Sequence, residues 1–251
     1  MVVRMRYHQR TYRKQMRGEG LVSFQIRLKE SDLFISVDEK SFQPELREIA
    51  LSLLHRFRRE LEVYLDVHPS FGESLRPLKV PVNAPRIVRM MAGAASRAGV
   101  GPMAAVAGAV AELVGRGLLR FVSEVIVENG GDIFMKTDKP RVVGIFAGTS
   151  RFSEKIGVKL DASNPYWGIC TSSGTVGPSL SFGSADAAVV VSKMAALADA
   201  VATAAGNRVH SPEDIPETLR FGCGVRGIEG VVLIHGDTLG AMGNVELVPL
   251  E

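Results

Sequence analysis

Three short segments hold residue types that could do chemistry. The first, Glu128-Asn129-Gly130-Gly131-Asp132, ends an apolar run. Its two glycines permit positive φ and close backbone approach, so N–H groups could face a phosphate or a ribityl oxygen. The same residues suit a tight hairpin in which Asp132 bonds its own backbone, the commoner outcome for this pattern in isolation. The second, Thr171-Ser172-Ser173-Gly174-Thr175-Val176-Gly177, interleaves hydroxyls with glycine and could cradle a phosphate or pyrophosphate. No Lys follows it and its spacing is not GxGxxG, and an ordinary surface turn has the same composition. The third is Ala198-Asp199-Ala200-Val201-Ala202-Thr203. Asp199 and Thr203 share a helix face and offer two hard oxygens to Mg²⁺, whose shell water, a carbonyl and ligand phosphates would complete. The competing reading is a surface Asp and a Thr bonded to the preceding turn. The flanking alanines argue against it, because they let this face pack close to another backbone and bury both groups.

Other chemistries find no support. The five histidines (8, 55, 68, 210 and 235) lack metal-ligand spacing, and a structural role is expected for each. No GxSxG elbow occurs, and neither cysteine has a nucleophile's context. Cys170 and Cys223 form no CxxC, so two free thiols are expected, as suits a reducing compartment. Tyr166 and Trp167 could stack on a flat ring, although core packing is the simpler expectation.

Elements that could position these segments follow from periodicity. Residues 20–37 alternate as a hairpin turning at Glu30-Ser31-Asp32. A helix follows from Pro44, with Leu46, Ile49, Leu53, Phe57, Leu61 and Tyr64 recurring every three or four residues. Residues 67–83, with three prolines and a glycine, should form an extended connector. Two small-residue helices are expected at about 86–98 and 103–116, then strands at 121–128, 132–136, 141–147 and 154–160. A strand at 187–192, a helix at 193–206 and a closing hairpin within 221–250 complete the chain.

Composition singles out two of these helices. Of 24 alanines in 251 residues, ten lie in 84–111 and ten in 185–205, which requires two closely packed helices. Laid side by side, Met103–Gly115 and Met194–Gly206 are identical at eight of thirteen positions. Each precedes an apolar strand ending in Gly-Asp, Val125–Asp132 and Val231–Asp237, which suggests a duplicated unit about a pseudo-twofold seam. Gly108 stands where Asp199 stands, and Glu112 where Thr203 stands, so the second copy is the chemically interesting one. The chain is therefore expected to be one α+β domain, residues 1–251. Its basic arm is 1–20, and its related halves are about 40–135 and 136–251. The sheets would be mixed or antiparallel, with small-residue helices packed at the seam, a natural ligand site.

The arm carries Arg4, Arg6, Arg10, Arg13, Lys14 and Arg17 against Glu19, so the other 231 residues sum to −2 of the net +3. A solvated arm is expected rather than a nucleic-acid contact, since no binding motif accompanies it. No apolar region follows it and no run is long enough to span a bilayer, so no membrane association and a cytoplasmic location are expected. Oligomeric state, a homo-oligomer included, is left open.

Taken in order, these segments resemble the ApbE family, the FAD:protein FMN transferases, and in particular a shorter branch of it. The counterparts of that family's motifs are Gly101–Glu112, Asn129-Gly130-Gly131-Asp132-Ile133, Thr171-Ser172-Ser173-Gly174 and Ala198-Asp199-Ala200-Val201-Ala202-Thr203-Ala204. The phrase Ser181-Phe182-Gly183-Ser184-Ala185-Asp186-Ala187 marks the shorter branch. The resemblance implies FAD bound at Asn129, Gly130, Gly131, Asp132, Thr171, Ser172, Ser173, Gly174 and Thr175. It implies Mg²⁺ near Asp199 and Thr203, and transfer of FMN to a Thr or Ser of an acceptor protein with release of AMP. The chain departs from the family at Ala107 and Glu112, where a Lys and an Asp are usual, and at Pro178, near an expected His. A flavin or phosphorylated-ligand binding module without transfer activity is the alternative.

Overall fold

A computed structural model describes residues 19–250 except 163 and 176–181. The arm cations Arg4 to Arg17, His8, and Val176, Gly177, Pro178 and Ser181 lie outside the described residues. The first strands, β1 (Leu21–Leu28) and β2 (Ser31–Asp38), form the expected hairpin. It turns at Lys29-Glu30, with Lys29 at φ 52°, one residue earlier than expected, so that Ser31 and Asp32 belong to β2. Alternation holds, with Phe24, Ile26, Leu33, Ile35 and Val37 all buried.

Helix α1 (Leu46–Val67) buries Leu46, Phe57 and Leu61 as periodicity requires, together with Ala50 and Leu54, while Ile49, Leu53 and Tyr64 of the expected stripe pack partly buried at its edge. A short helix α2 (Pro69–Glu73) interrupts the expected connector, with Pro69 in its first turn, where the missing N–H costs nothing. Helix α3 (Arg86–Ala98) ends on Gly99 at φ 75°, a left-handed cap that glycine adopts freely. A 3-10 turn at Pro102–Ala105 leads into α4 (Val106–Leu118).

Strands β3 (Val125–Asn129), β4 (Asp132–Lys136), β5 (Arg141–Gly144), β6 (Ile156–Leu160), β7 (Trp167–Ser172) and β8 (Ala187–Ser192) follow. Beyond them lie α5 (Ala195–Gly206), α6 (Ile215–Gly224), β9 (Ile228–His235), β10 (Thr238–Gly243) and β11 (Glu246–Pro249). The sequence conceals α6, because Pro216 and two glycines obscure its periodicity; Pro216 lies in the first turn, where it is tolerated. The tail is not a simple hairpin, since β11 leaves β9 and β10 to pair with β6.

The fold is α+β. Eight antiparallel strands run in the order β1-β2-β3-β4-β7-β8-β9-β10, and a three-stranded sheet runs β11-β6-β5. One face of the large sheet carries Val127, Phe134, Cys170, Val190 and Leu233 into a core with the helices. The opposite face carries Ile133, Ile169, Val189 and Val232 into a second core, against Ile145, Val158 and Leu160. Covered on both sides, β8 is buried at all six residues. In α5, eleven of twelve residues are buried, and its alanines let α3, α4, β7 and β8 approach closely. Among the described residues no single helix is long and apolar enough to cross a membrane.

Candidate functional site

Helices α4 and α5, the two halves of the sequence repeat, pack against each other through their equivalent positions. Gly108 faces Asp199, and its N–H donates to Asp199 Oδ2 at 2.8 Å. A side chain at Gly108 would overlap the Ala195 carbonyl and come within 2.8 Å of Asp199 Cβ. The Ala107 N–H faces the same carboxyl. Since Ala105, at the head of α4, has no capping side chain, Asp199 satisfies that helix's free N–H groups from across the interface.

The arrangement is reciprocal. Glu112 of α4 is 2% exposed, and its Oε2 accepts from Ala196 N at 3.4 Å, at the start of α5. Its other oxygen accepts from Arg116 Nε at 2.9 Å, and that guanidinium lies 4.3 Å from the Tyr166 ring centroid. Glu112→Ala should therefore lower stability by about 1–2 kcal/mol in urea denaturation, because it leaves one helix start uncapped and Arg116 unpaired. Unchanged stability would show that the contact contributes nothing.

Asp132 comes to Asp199 from the sheet. The Gly130-Gly131 segment is a tight two-residue hairpin with φ of 71° and 102°, pairing Asn129 with Asp132. Its Gly131 N–H donates to Glu128 Oε1 at 2.9 Å and so is not presented to a ligand. Asn129 Nδ2 donates to the Ala107 carbonyl at 3.1 Å, tying the turn to the start of α4. Asp132 faces the helices alongside Cys170, and the Cys170 thiol also reaches the Ala195 carbonyl at 3.3 Å.

Electrostatics sets this cluster apart. Burial pushes Asp199 up to about 7 against the pull of the Gly108 and Ala107 N–H groups. Burial, then the charge of Asp199, holds Asp132 well above the usual carboxylate range; the Cys170 thiol pulls the other way. Burial and the same two carboxylates push Cys170 well above an ordinary thiol. Among the described residues neither aspartate is ion-paired. Two buried carboxylates without a cation can share a proton or hold a metal, and perturbed acids of this kind mark functional sites. Thr203 is half-buried, one turn further along the same face of α5, and its hydroxyl has no hydrogen-bond partner among the described residues.

The Thr171–Thr175 loop is organised differently. Gly131 approaches the Thr171 carbonyl, and Ser172 lies beside Gly206 at the end of α5. Beyond them the polar groups are committed to the protein itself. Gly174 N donates to the Ala185 carbonyl at 2.8 Å, and Ser173 Oγ accepts from Thr175 N at 3.1 Å. Thr175 Oγ1 donates to Asp186 Oδ1 at 2.8 Å, while Asp186 Oδ2 accepts from Gly236 N at 2.7 Å. The structure thus unites Asn129, Asp132, Asp199 and the end of β7, and it places Ser173, Gly174 and Thr175 in an anchoring knot around Asp186.

Cys170, Glu112 and Asp186 acquire their roles only from tertiary contacts. One sequence signal existed for Cys170, which lies two residues before Ser172 and therefore on the same strand face. The aromatic pair packs as core: Trp167 Nε1 donates to the Asp161 carbonyl at 2.8 Å, and Tyr166 stacks on Phe134. Two shallow grooves of about 300 and 400 Å³ flank α1, one along Lys29, His55 and Arg58, the other along Ile49, Leu53 and Phe121. Neither is lined by the candidate residues.

Comparison with known proteins agrees with this architecture. A UPF0280 protein of Methanococcus aeolicus is 40% identical over 230 residues, spanning 90% of this chain and 91% of its own. Another, from Methanosarcina barkeri, is 41% identical over 203 residues, 80% of each chain. Among solved structures, the ApbE protein of Thermotoga maritima superposes with a TM-score of 0.57 at 13% identity, covering 88% of this chain and 96% of that one. The apo flavinyl transferase ApbE of Pseudomonas stutzeri gives 0.52 at 17% identity, covering 89% and 94%. The profile of the family described as AbpE bacteria matches residues 13–220, and with most of its length so matched the chain belongs to that family, within the ApbE-like superfamily.

Proposed function

We propose that this protein binds a flavin dinucleotide beside the α4–α5 contact and transfers FMN from FAD to a Thr or Ser hydroxyl of an acceptor protein, with Mg²⁺ held at Asp199 and Thr203. The observation that carries the reading is the pair of buried carboxylates, Asp132 and Asp199, raised by burial and, among the described residues, ion-paired with no cation. Together with the free Thr203 hydroxyl, they are hard oxygen donors suited to Mg²⁺. Among the described residues no group of three or more His, Cys, Asp or Glu is placed to hold a metal. The donor set therefore fits an ion that completes its shell with water and the ligand's own phosphates. Such an ion supplies charge neutralisation at the pyrophosphate.

The chain's own residues do the rest. Asp199 bridges the metal position and the start of α4, so binding and helix packing are coupled. Asn129 and Glu128 hold the turn that presents Asp132, and Cys170 positions that carboxyl from β7. The name of the superposed Pseudomonas stutzeri protein, a flavinyl transferase, supports flavin as the ligand class. The same reading treats the chain as one duplicated domain. Its supports are the meeting of Gly108 with Asp199 and the hairpin–helix–hairpin passage that occurs twice, β1 to β4 and β7 to β10.

The test is to incubate the protein with FAD, Mg²⁺ and a Thr-containing flavoprotein segment, and to measure AMP release and a flavin mass adduct. Both should appear, and both should vanish with EDTA. Tight FAD binding without AMP would instead favour a binding module, a reading that the commitment of Thr175 to Asp186 supports. Absence of FAD binding would remove both.

A further inference from the structure

Residues 74–111 contain five cations, Arg76, Lys79, Arg86, Arg89 and Arg97, and no Asp or Glu. All five are exposed. Among the described residues none forms an ion pair, whereas Arg56 and Arg58 on α1 are paired with Glu60 and with Glu30 and Glu62. Among the described residues, Arg89 is the one of the five whose head group has a protein hydrogen-bond partner, donating from Nη1 to the Val82 carbonyl at 3.1 Å.

Packing gives these charges a common direction. Helix α3 buries Ile87, Val88, Met91, Ala94, Ala95 and Ala98. The opposite stripe is therefore Arg86, Arg89, Gly93 and Arg97, at spacings of three, four and four. It runs about 16 Å along the helix. Gly93 keeps the stripe flat, for a Cβ there would meet nothing within 4 Å. The connector lies against one end through the Arg89–Val82 bond and exposes Leu75 and Val82 by 61% and 88%. Prolines 77, 81 and 85 stiffen it, and a turn after Pro81, closed by the Ala84 N–H on the Pro81 carbonyl at 3.0 Å, presents Val82.

We propose that this strap and the arginine face of α3 form a docking surface for an acidic segment of a partner protein, one with aliphatic residues between its carboxylates. Guanidinium forks match carboxylates in pairs, and Leu75 and Val82 offer the apolar contact that carboxylates alone do not use. Residues 74–97 include no aromatic side chain on which nucleic-acid bases could stack. Two exposed aliphatic residues are few for holding a lipid surface. The strap also begins beside the site: the Gly101 backbone packs on Ser74 and Leu75, at the turn leading into α4. The inference does not depend on the flavin reading.

The test is fluorescence anisotropy of the full chain with a labelled peptide of glutamates interspersed with leucine. An oligo-dT of equal charge and phosphatidylserine vesicles serve as competing probes. The peptide should bind with salt-sensitive affinity, weaken at least tenfold in Arg86→Glu/Arg89→Glu/Arg97→Glu, and weaken several-fold in Val82→Ser. The exposed Arg220→Glu should leave binding unchanged, and the triple Gln variant repeats the test should charge reversal impair folding. Absence of peptide binding, equal loss in Arg220→Glu, or tighter binding of the oligonucleotide or vesicles would each overturn the proposal.

Discussion

Replacing Asp199 with asparagine is expected to stabilise the metal-free protein at pH 8 and, in the same molecule, to abolish Mg²⁺-dependent AMP release. The stability half follows from burial. The Asp199 carboxyl is raised from 3.8 to about 7, so the folded state favours its protonated form. The stability this gives is fully present below about pH 4 and is lost as pH rises through 7. The loss integrates to about 4 kcal/mol. Asparagine carries no charge to bury, and its carbonyl still accepts the Gly108 N–H. The variant should therefore match wild type near pH 4 and exceed it by about 2–4 kcal/mol at pH 8 in EDTA. Millimolar Mg²⁺ should reverse the order, because only the wild type gains by binding it. On the proposed reading AMP release falls about a hundredfold or more. A variant less stable than wild type at pH 8 would show that Asp199 serves mainly as the cap of α4. A stabilised variant with undiminished Mg²⁺ response would place the metal elsewhere.

Gly108→Val should be the most damaging single substitution at this interface. Its side chain would enter the space of the Ala195 carbonyl and the Asp199 Cβ, neither of which is a flexible side-chain end. Helices α4 and α5 would have to separate, breaking the Gly108–Asp199 bond and straining the Glu112 contact with Ala196. A cost of about 3 kcal/mol or more is expected from overpacking plus the lost buried hydrogen bond. Gly93→Ala supplies the contrast, since it lies on the open face of α3 and should stabilise by about 0.5–1 kcal/mol. Chemical denaturation of the two variants decides the matter. Comparable effects at both positions would mean that glycine's flexibility, rather than close helix approach, governs Gly108.

Much of the fold was legible because periodicity records which face of an element is buried. Helix α1 shows most of its stripe between Leu46 and Leu61, the first hairpin alternates, and the alanine blocks announce close helix packing, although the first block spans two helices, α3 and α4, rather than one. What periodicity could not show is instructive. Helix α6 was hidden by glycines and Pro216, and the end of the chain crosses from one sheet to the other through β11. The first hairpin turns at Lys29-Glu30, and Ser31 and Asp32 of the polar cluster expected to turn it enter β2 instead.

The candidate site divides along the same line. Residue type and spacing alone identified Asp199 and Thr203 on one helix face, because i and i+4 neighbours are set by helix geometry whatever surrounds them. They identified the Gly-Gly turn for a different reason, since a two-residue hairpin needs positive φ at adjacent positions, which glycine adopts freely. Only the tertiary structure decided that Asp132 reaches Asp199, that Asp199 caps α4 while Glu112 caps α5, and that Thr175 is bound to Asp186. Those outcomes depend on strand order and helix packing between residues some 90 positions apart, such as Gly108 and Asp199. Burial, which raises both aspartates and makes them candidates for chemistry, belongs to the packed chain and to no local segment of it.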